Sequence, residues 1–510
     1  MAESVIQIKS LPGIKRDGTK FEGDQYVDGQ WVRFQRGLPR KIGGYRSINK
    51  YLSGVARTLH EYTLDLLTYV HAGSANLVER FFIDGSLNTS VIADRTPTTL
   101  VADAANLWQF DVDTAGGTGL QLLAQVAPNL NCICNSVGGQ LFYGSEFGTT
   151  PLVEITNFPT PYSITGGVVA LHPYTVGFGN DGFVMWSVPT DPTDYTGAGA
   201  GNAYVTGQKI VRAMQMRGGP GNSPSGLLWS ADSLIRMTYV GGTPTFQFDT
   251  ISAQSSILSS QSVIEYDGIF FWVGSDRFLM FNGVVREVEN NLNLNFFFDN
   301  LNYSQRQKVF AMKVPRFGEI WWCFPKGDSL EPNHAVIYNV RENTWYDTAL
   351  PNGGRGAGLF PAVFRRPIMT GVAPNNDGGY ATWVHEQGVD EIDGIDVNPI
   401  QSYFETADLS LPVQSQTNRA TQVLIMEPDF VQSGDLTVEV RGRANARAPE
   451  VDGENKVISE TPQTPQEQVV YFKEQRRELR FRFESNTVGG NYQMGLVLAH
   501  VQPGDGTIIG

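Results

Sequence analysis

Residues that carry chemistry are sparse in this chain, and their spacing is poor. The 510 residues hold six histidines: His60, His71, His172, His334, His385 and His500. No two make HxxxH or another metal-ligating spacing, so the sequence predicts no zinc site. Cys132, Cys134 and Cys323 are too few for a disulfide framework. Cys132 and Cys134 would face one side of a strand as small buried residues. The run TGAGAGNAY (196–204) has glycines at 197, 199 and 201. That is not the GxGxxG spacing, and no Rossmann strand precedes it. Walker A and GxSxG sequences are absent. The densest carboxylate group is DEIDGID, with Asp390, Glu391, Asp393 and Asp396. It offers the oxygen ligands calcium takes, but without EF-hand spacing, and an acidic solvated turn is the simpler reading. Glycoside hydrolysis needs two carboxylates about 5–10 Å apart, a separation sequence does not encode. The sequence therefore predicts no catalytic, cofactor-binding or metal-binding residue.

The elements that would position any site are short and aromatic. The chain has 55 Gly and 27 Pro, 11% aromatic residues and only 18% charged residues. Many turns and many aromatics favour an all-β protein. No amphipathic helical pattern and no heptad is sustained. Apolar runs recur as FFIDG (81–85), LFYG (141–144), FVMWS (183–187), LLWS (227–230), IFFWVG (269–274), IWWCFP (320–325) and YATWVHE (380–386). Their starts are 42 to 60 residues apart, the period of propeller blades. Stacked blades would cover both faces of each run, and each ring buries about 150–250 Å².

The expected fold is an irregular β-propeller with a second, smaller β-sandwich-like platform domain. Its expected parts are a basic N-terminal arm at 1–52, a propeller at 53–405 and the platform domain at 406–510. The arm and the C-terminal strands are expected to meet in one platform. The C-terminal part alternates cleanly: Leu436, Val438 and Val440 against Thr437, Glu439 and Arg441. The stretch 189–226 is glycine-rich and reads as a long projecting loop. Tyr195 and Tyr204 are its aromatic anchors and the candidate contacts to a neighbouring subunit.

The net charge is −14, unevenly spread. Residues 1–50 carry a net +5, and the remainder −19. An acidic body argues against ordinary DNA binding, which needs a positive face. A basic segment on such a body marks either a partner contact or a solvated arm. No signal-peptide core opens the chain, and no apolar run reaches the ~18 residues of a membrane span. A reducing cytoplasm is the expected site of synthesis.

Several stretches resemble a family of tailed-bacteriophage virion proteins. They are DQYVDGQWVRFQRGLPRKIGGYRSI, GGPGNSPSGLLWSADSLIRMTYVGG, FDTISAQSSILSSQSVIEYDGIFFWVGSDRFLMFNGVVREV, FFFDNLNYSQRQKVFA, FGEIWWCFPKGD and HAVIYNVRENTWYDTAL. They cover most of 22–48 and 217–350, about a third of the chain. The group is similar to the tail nozzle, or packaged-DNA stabilisation, proteins of short-tailed phages. The resemblance implies a homohexameric ring below the portal and adaptor, assembled in the host cytoplasm and carried in the virion tail. Such a ring continues the channel for double-stranded DNA, helps retain the genome without sequence-specific binding, and neighbours the tail fibre or spike. It implies no catalytic residue, cofactor or membrane span. Arg33, Arg36, Arg40 and Lys41 are then the candidate contacts to an acidic adaptor surface, since Arg suits planar contacts to carboxylates. The competing expectation is a tail-associated propeller that binds or hydrolyses host surface glycan.

Overall fold

A computed structural model describes residues 4–504, apart from 20–23, 102, 104–106, 114–120, 128–138, 160–163, 217–223, 409–419 and 445–446. Cys132 and Cys134 lie outside the described residues, as do Gly218, Gly219 and Gly221.

The aromatic runs at 269–274 and 320–325 are strands buried on both faces. In Ile269–Val273, Phe270 and Trp272 pack against Trp229 and Leu227 on one side. Phe271 and Val273 pack against Trp322 and Tyr338 on the other. The run Glu319–Phe324 does the same, with Ile320, Trp322 and Phe324 in one apolar cluster and Trp321 and Cys323 in the next. A strand covered on both sides needs no polar alternation. This is why these runs read as continuously apolar. Turn chemistry sets the register: Asp267 and Gly268 both have positive φ and link Ile264–Tyr266 to Ile269–Val273 as a tight hairpin.

Six consecutive four-stranded antiparallel meanders span 58–94, 107–154, 167–204, 210–252, 264–287 and 310–349. The seventh sheet begins with Arg355–Leu359, Ile368–Pro374 and Tyr380–His385. Its fourth strand is Tyr45–Leu52, which returns from the N-terminal segment to pair antiparallel with Tyr380–His385. Among the described residues, seven apolar clusters fill the spaces between successive sheets, and one of them, with Ile48, Leu52 and Val384 against Val70 and Phe81, joins blade seven to blade one. The fold is all-β: a seven-bladed propeller, closed by the chain's own N-terminal part.

The expected division at residue 52 is corrected here. Residues 45–52 belong to the propeller because blade seven lacks an outer strand without them. The acidic hairpin Glu391–Asp393 and Asp396–Asn398 then lies outside this strand, with Glu391–Asp393 parallel to it.

The smaller body is built from both chain segments. Ser4–Ile8 pairs with Val497–Pro503. Asp28–Gln30 pairs with Ser402–Glu405, which pairs with Glu478–Ser485. Leu38–Lys41 meets Asn491–Met494. Three small sheets result, each mixing N- and C-terminal strands. Their core is continuous with one face of blade six and one of blade seven. Trp31, Phe34, Phe404, Phe481 and Phe483 share a cluster with Trp321, Tyr346 and Trp383.

The described part of the stretch 189–226, residues 189–216 and 224–226, is not one projecting loop. Gly201–Tyr204 is the outer strand of blade three, and Ile210–Gln215 the first strand of blade four. The glycines serve close packing: a Cβ on Gly201 would lie 2.5 Å from the Trp186 indole. Asp194 Oδ1 accepts from the backbone N–H of Thr196 at 2.9 Å and of Gly197 at 3.1 Å, which fixes the turn.

Charge also ties the N-terminal segment to blade six. Arg16 Nε donates to Asp347 Oδ1 at 2.8 Å, and Arg16 Nη1 to Asp28 Oδ1 at 2.6 Å. His334 Nε2 lies 2.9 Å from Asp347 Oδ2. Burial alone would raise the Asp347 carboxyl, but Arg16 and His334 overcome it and hold the group at about 2.

Two outcomes are expected. Removing residues 1–52 takes the closing strand and the Trp31 wedge. It should abolish the cooperative thermal transition and leave aggregating protein, read by circular dichroism and light scattering. Removing only residues 1–7 takes most of one edge strand and should keep that transition. For Asp347, the folded pKa lies below the ordinary value of 3.8. Its contribution is therefore complete above that value and is lost as pH falls toward 2. Asp347→Asn should cost about 2 kcal/mol in denaturant melts at neutral pH and flatten the acid limb.

Candidate functional site

The propeller axis is the first place to look for a site. First strands of successive blades run side by side around it. A cavity of about 240 Å³ opens there among blades two to five, lined by Phe110, Asp111, Arg212, Met214, Glu265 and Phe270 among others. Two carboxylates thus share one cavity, as a glycan hydrolase would need. Both are already engaged. Asp111 accepts from the backbone N–H of Val112 and of Ala170, each at 2.8 Å. Burial pushes its carboxyl up. Glu265 accepts from Gly268 N–H at 2.6 Å and faces Lys313 Nζ at 3.3 Å. All nine tryptophans are buried, so the surface presents no indole on which a sugar ring could stack.

A second polar group lies at the joint of blades one and two. His60 on Thr58–Leu64 stands directly opposite His71 on Leu67–Gly73. Glu146 follows the strand Gln140–Ser145 of blade two. Glu146 Oε1 is 3.4 Å from both His60 Nε2 and His71 Nδ1. Arg95 Nη1 lies 3.0 Å from His71 Nε2, and Arg95 Nε donates to Thr150 O at 3.1 Å. Glu146, His71 and Arg95 are fully buried. Burial opposes charge on all of them. Glu146 overcomes it for His60, which is held above the usual histidine range. It does not for His71, pushed down to about 4 by burial. The Glu146 carboxyl is held well below the carboxylate range, as His60 and His71 outweigh its own burial.

Sequence spacing misses this group because the two histidines are eleven positions apart. A signal was nevertheless present. Each is five residues from the tight turn Asp65-Leu66, so any hairpin centred there pairs them. Glu146 comes from another blade and has no sequence signal.

The four basic residues expected to meet an adaptor divide two and two. Arg33 is 1% exposed and Lys41 2%, which corrects their assignment as contacts. Arg33 is held between Glu319, at 2.8 Å from Nε, and Glu386, at 3.0 Å from Nη1. The Phe317 ring stacks on its guanidinium at 3.7 Å. Lys41 Nζ donates to Gly490 O at 2.7 Å. Only Arg36, exposed, and Arg40, half-buried, reach solvent. Of the two tyrosines, Tyr195 is 2% exposed, packed between blades two and three. A core tyrosine is no subunit anchor. Tyr204 is 60% exposed.

The acidic hairpin does not gather its carboxylates. Asp390 accepts from Gly489 N–H at 2.8 Å, and Glu391 from Tyr45 O–H at 2.7 Å. The first ties the hairpin to the platform, the second to the blade-seven strand Tyr45–Leu52. Among the described residues, the one group of three side chains placed to share a metal ion is His60, His71 and Glu146.

No protein-family model matches the chain, and no curated protein matches it. Among solved structures it is similar to the WD40 β-propeller domain of Doa1, at 12% identity and a TM-score of 0.39, over 67% of this chain and 97% of that one. It is also similar to the computationally designed Ika8 protein, at 10% identity and a TM-score of 0.37, over 67% and 99%.

The Arg33 joint has a measurable signature. Glu319 also accepts from Tyr346 O–H at 2.7 Å and Trp321 Nε1–H at 2.9 Å. Glu319→Gln leaves the guanidinium short of a counter-charge in the core. It should cost about 3–5 kcal/mol in urea melts. A loss under 1 kcal/mol would mean the joint relaxes freely.

Proposed function

We propose that the chain is a structural virion protein of the tail-nozzle class, working as a ring of six copies. The ring would continue the DNA channel below the portal and adaptor, help retain the packaged genome and pass it on ejection. The observation that carries this reading is where the family-like motifs fall. In DQYVDGQWVRFQRG, Trp31, Val32, Arg33 and Phe34 are all buried at the joint of platform and propeller. FGEIWWCFPKGD supplies the two faces of blade six. These motifs build architecture, and the acid they bring to the cavity, Glu265, is already engaged by Gly268 N–H and Lys313 Nζ. That suits a scaffold better than a hydrolase.

Two further features support the reading. The platform gathers both chain segments into one rigid end, a suitable base for docking. Arg36 in the tight turn between Val32–Gln35 and Leu38–Lys41, and Arg40 on the second of these strands, are the remaining candidates for an acidic adaptor face. Tyr204, on the outer strand of blade three, is the remaining candidate for a subunit contact. The acidic net charge fits a conduit, because like charge keeps DNA phosphates from adhering.

The glycan-hydrolase alternative loses weight to the buried tryptophans and the engaged Asp111. The deciding measurement is the symmetry and stoichiometry of the purified chain, by native mass spectrometry and electron microscopy. Six chains in a ring are expected. A chain that stays monomeric at high concentration and releases sugar from host polysaccharide would overturn the proposal.

A further inference from the structure

The joint between blades one and two holds a set of donor atoms that its own hydrogen bonds do not account for. Glu146 is a fully buried carboxylate, yet neither oxygen has a hydrogen-bond partner. His60 Nε2 and His71 Nδ1, which face it, have none either. An ionised carboxylate left so in the interior is costly. Its charge is balanced either by a proton on His60 or by a cation held between these atoms.

The distances say what kind of positive group fits. Both nitrogens lie 3.4 Å from Glu146 Oε1. That is beyond the roughly 2.7–3.2 Å of an N–H···O bond. It is close to the edge of a tetrahedral zinc shell. With ligands at about 2.0–2.1 Å, neighbouring donors stand about 3.3–3.4 Å apart. All three donors lie within 4.8 Å of one another. Two imidazoles and one carboxylate are a ligand set that zinc accepts, with the fourth position left to water.

We propose that His60, His71 and Glu146 form a site for a divalent zinc-class ion that staples blade one to blade two. The backbone places the ligands with little freedom. His60 and His71 are directly opposed across one hairpin, so their rings share a face of the blade-one sheet. Glu146 arrives from the turn between the third and fourth strands of blade two. The open fourth position lies on the His60 side, since that ring is 15% exposed and the other two side chains are not exposed at all. Asp111 and Glu61 add negative potential at His60, which favours a cation there.

Arg95 works against the ion and has to move. Its Nη1 faces His71 Nε2 at 3.0 Å. When Nδ1 holds a metal, Nε2 carries the ring proton and no longer accepts from a guanidinium. Arg95 Nη2 has no hydrogen-bond partner, so the fork can turn about its Nε bond to Thr150 O. The metal-free and metal-bound forms thus differ in the Arg95 rotamer and in the tautomer of His71. The site is independent of the virion reading and stands or falls separately.

The test uses the full chain stripped by chelator, then titrated with Zn²⁺ by calorimetry and with Co²⁺ by visible absorption. One ion per chain is expected, with the strong visible band of tetrahedral Co²⁺. Zn²⁺ should raise Tm by about 3 °C or more at saturating concentration. His60→Gln, whose ring is partly exposed, should fold and lose at least about tenfold in affinity. Glu146→Gln should lose the site entirely if it folds. Absence of a saturable one-to-one site would overturn the proposal. So would wild-type affinity in His60→Gln, or a wild-type Tm that zinc does not move. In either case a proton on His60 would be the cation that balances Glu146.

Discussion

The fold depends on one constraint: a blade with two apolar faces has no stable edge to the stack unless the stack closes. Each four-stranded meander here buries aromatics on both sides, as Phe270 and Trp272 against Phe271 and Val273 make plain. A linear row of such sheets would leave two bare faces. Closure between blades seven and one removes both. The strand that achieves it, Tyr45–Leu52, comes from the start of the propeller segment and completes the last blade. Closure is therefore a long-range pairing, and its loop entropy is met only when the rest of the ring is in place. The same choice fixes where the flanking segments go. The chain enters and leaves the ring at blade seven, so the residues before 45 and after 398 emerge side by side. Their pairing into common sheets follows from that proximity.

The propeller was legible in the sequence because its signal is local. An apolar run of five residues with turn dipeptides at its ends states a two-face-buried strand without any partner being known. What was not legible is what depends on distant partners. Tyr45–Leu52 looks like any strand of an arm; nothing in its residues says that Tyr380–His385 awaits it. Arg33 and Lys41 read as a basic surface because their counter-charges and acceptors, Glu319, Glu386 and Gly490, are hundreds of residues away. The glycines at 197–201 read as a loop, since sequence does not tell a permissive glycine from one pressed against Trp186. The histidine pair was half legible, through its symmetry about Asp65-Leu66, while Glu146 was not.

Buried arginines are the recurring device at the joints. Arg33 sits between platform and blade six, and Arg480 between Glu405 at 2.7 Å and Asp408 at 2.8 Å within the platform. Arg355 in blade seven takes another route. It donates to His385 Nε2 at 3.2 Å and to Pro351 O at 2.9 Å, and lies over the Tyr45 and Trp383 rings. The planar fork can satisfy several acceptors at fixed angles, which suits a place where sheets meet obliquely. Such groups add little net stability against a well-packed apolar core. They do fix geometry, because a displaced partner leaves a charge stranded.

That geometric role bears on how the molecule would transmit force. The platform and the facing sides of blades six and seven share one apolar core, with Trp31 packed edge-on to both Tyr45 and Trp321. There is no hinge of polar linker at this joint. A load on the platform is therefore passed through side chains into blade six, and through the Tyr45–Leu52 strand into the closure of the ring. Past blade seven, the joint of blades one and two has its own apolar cluster, with Val78, Trp108 and Phe142. It also contains the ionisable group of His60, His71, Glu146 and Arg95. Apolar packing and buried charge thus occur together at both places: Arg16, Asp347 and His334 on the platform side of blade six, and His60, His71 and Glu146 between blades one and two. A change of ions or pH acts at the second group on the packing of blades one and two, and at the first on the core that the platform shares with blades six and seven.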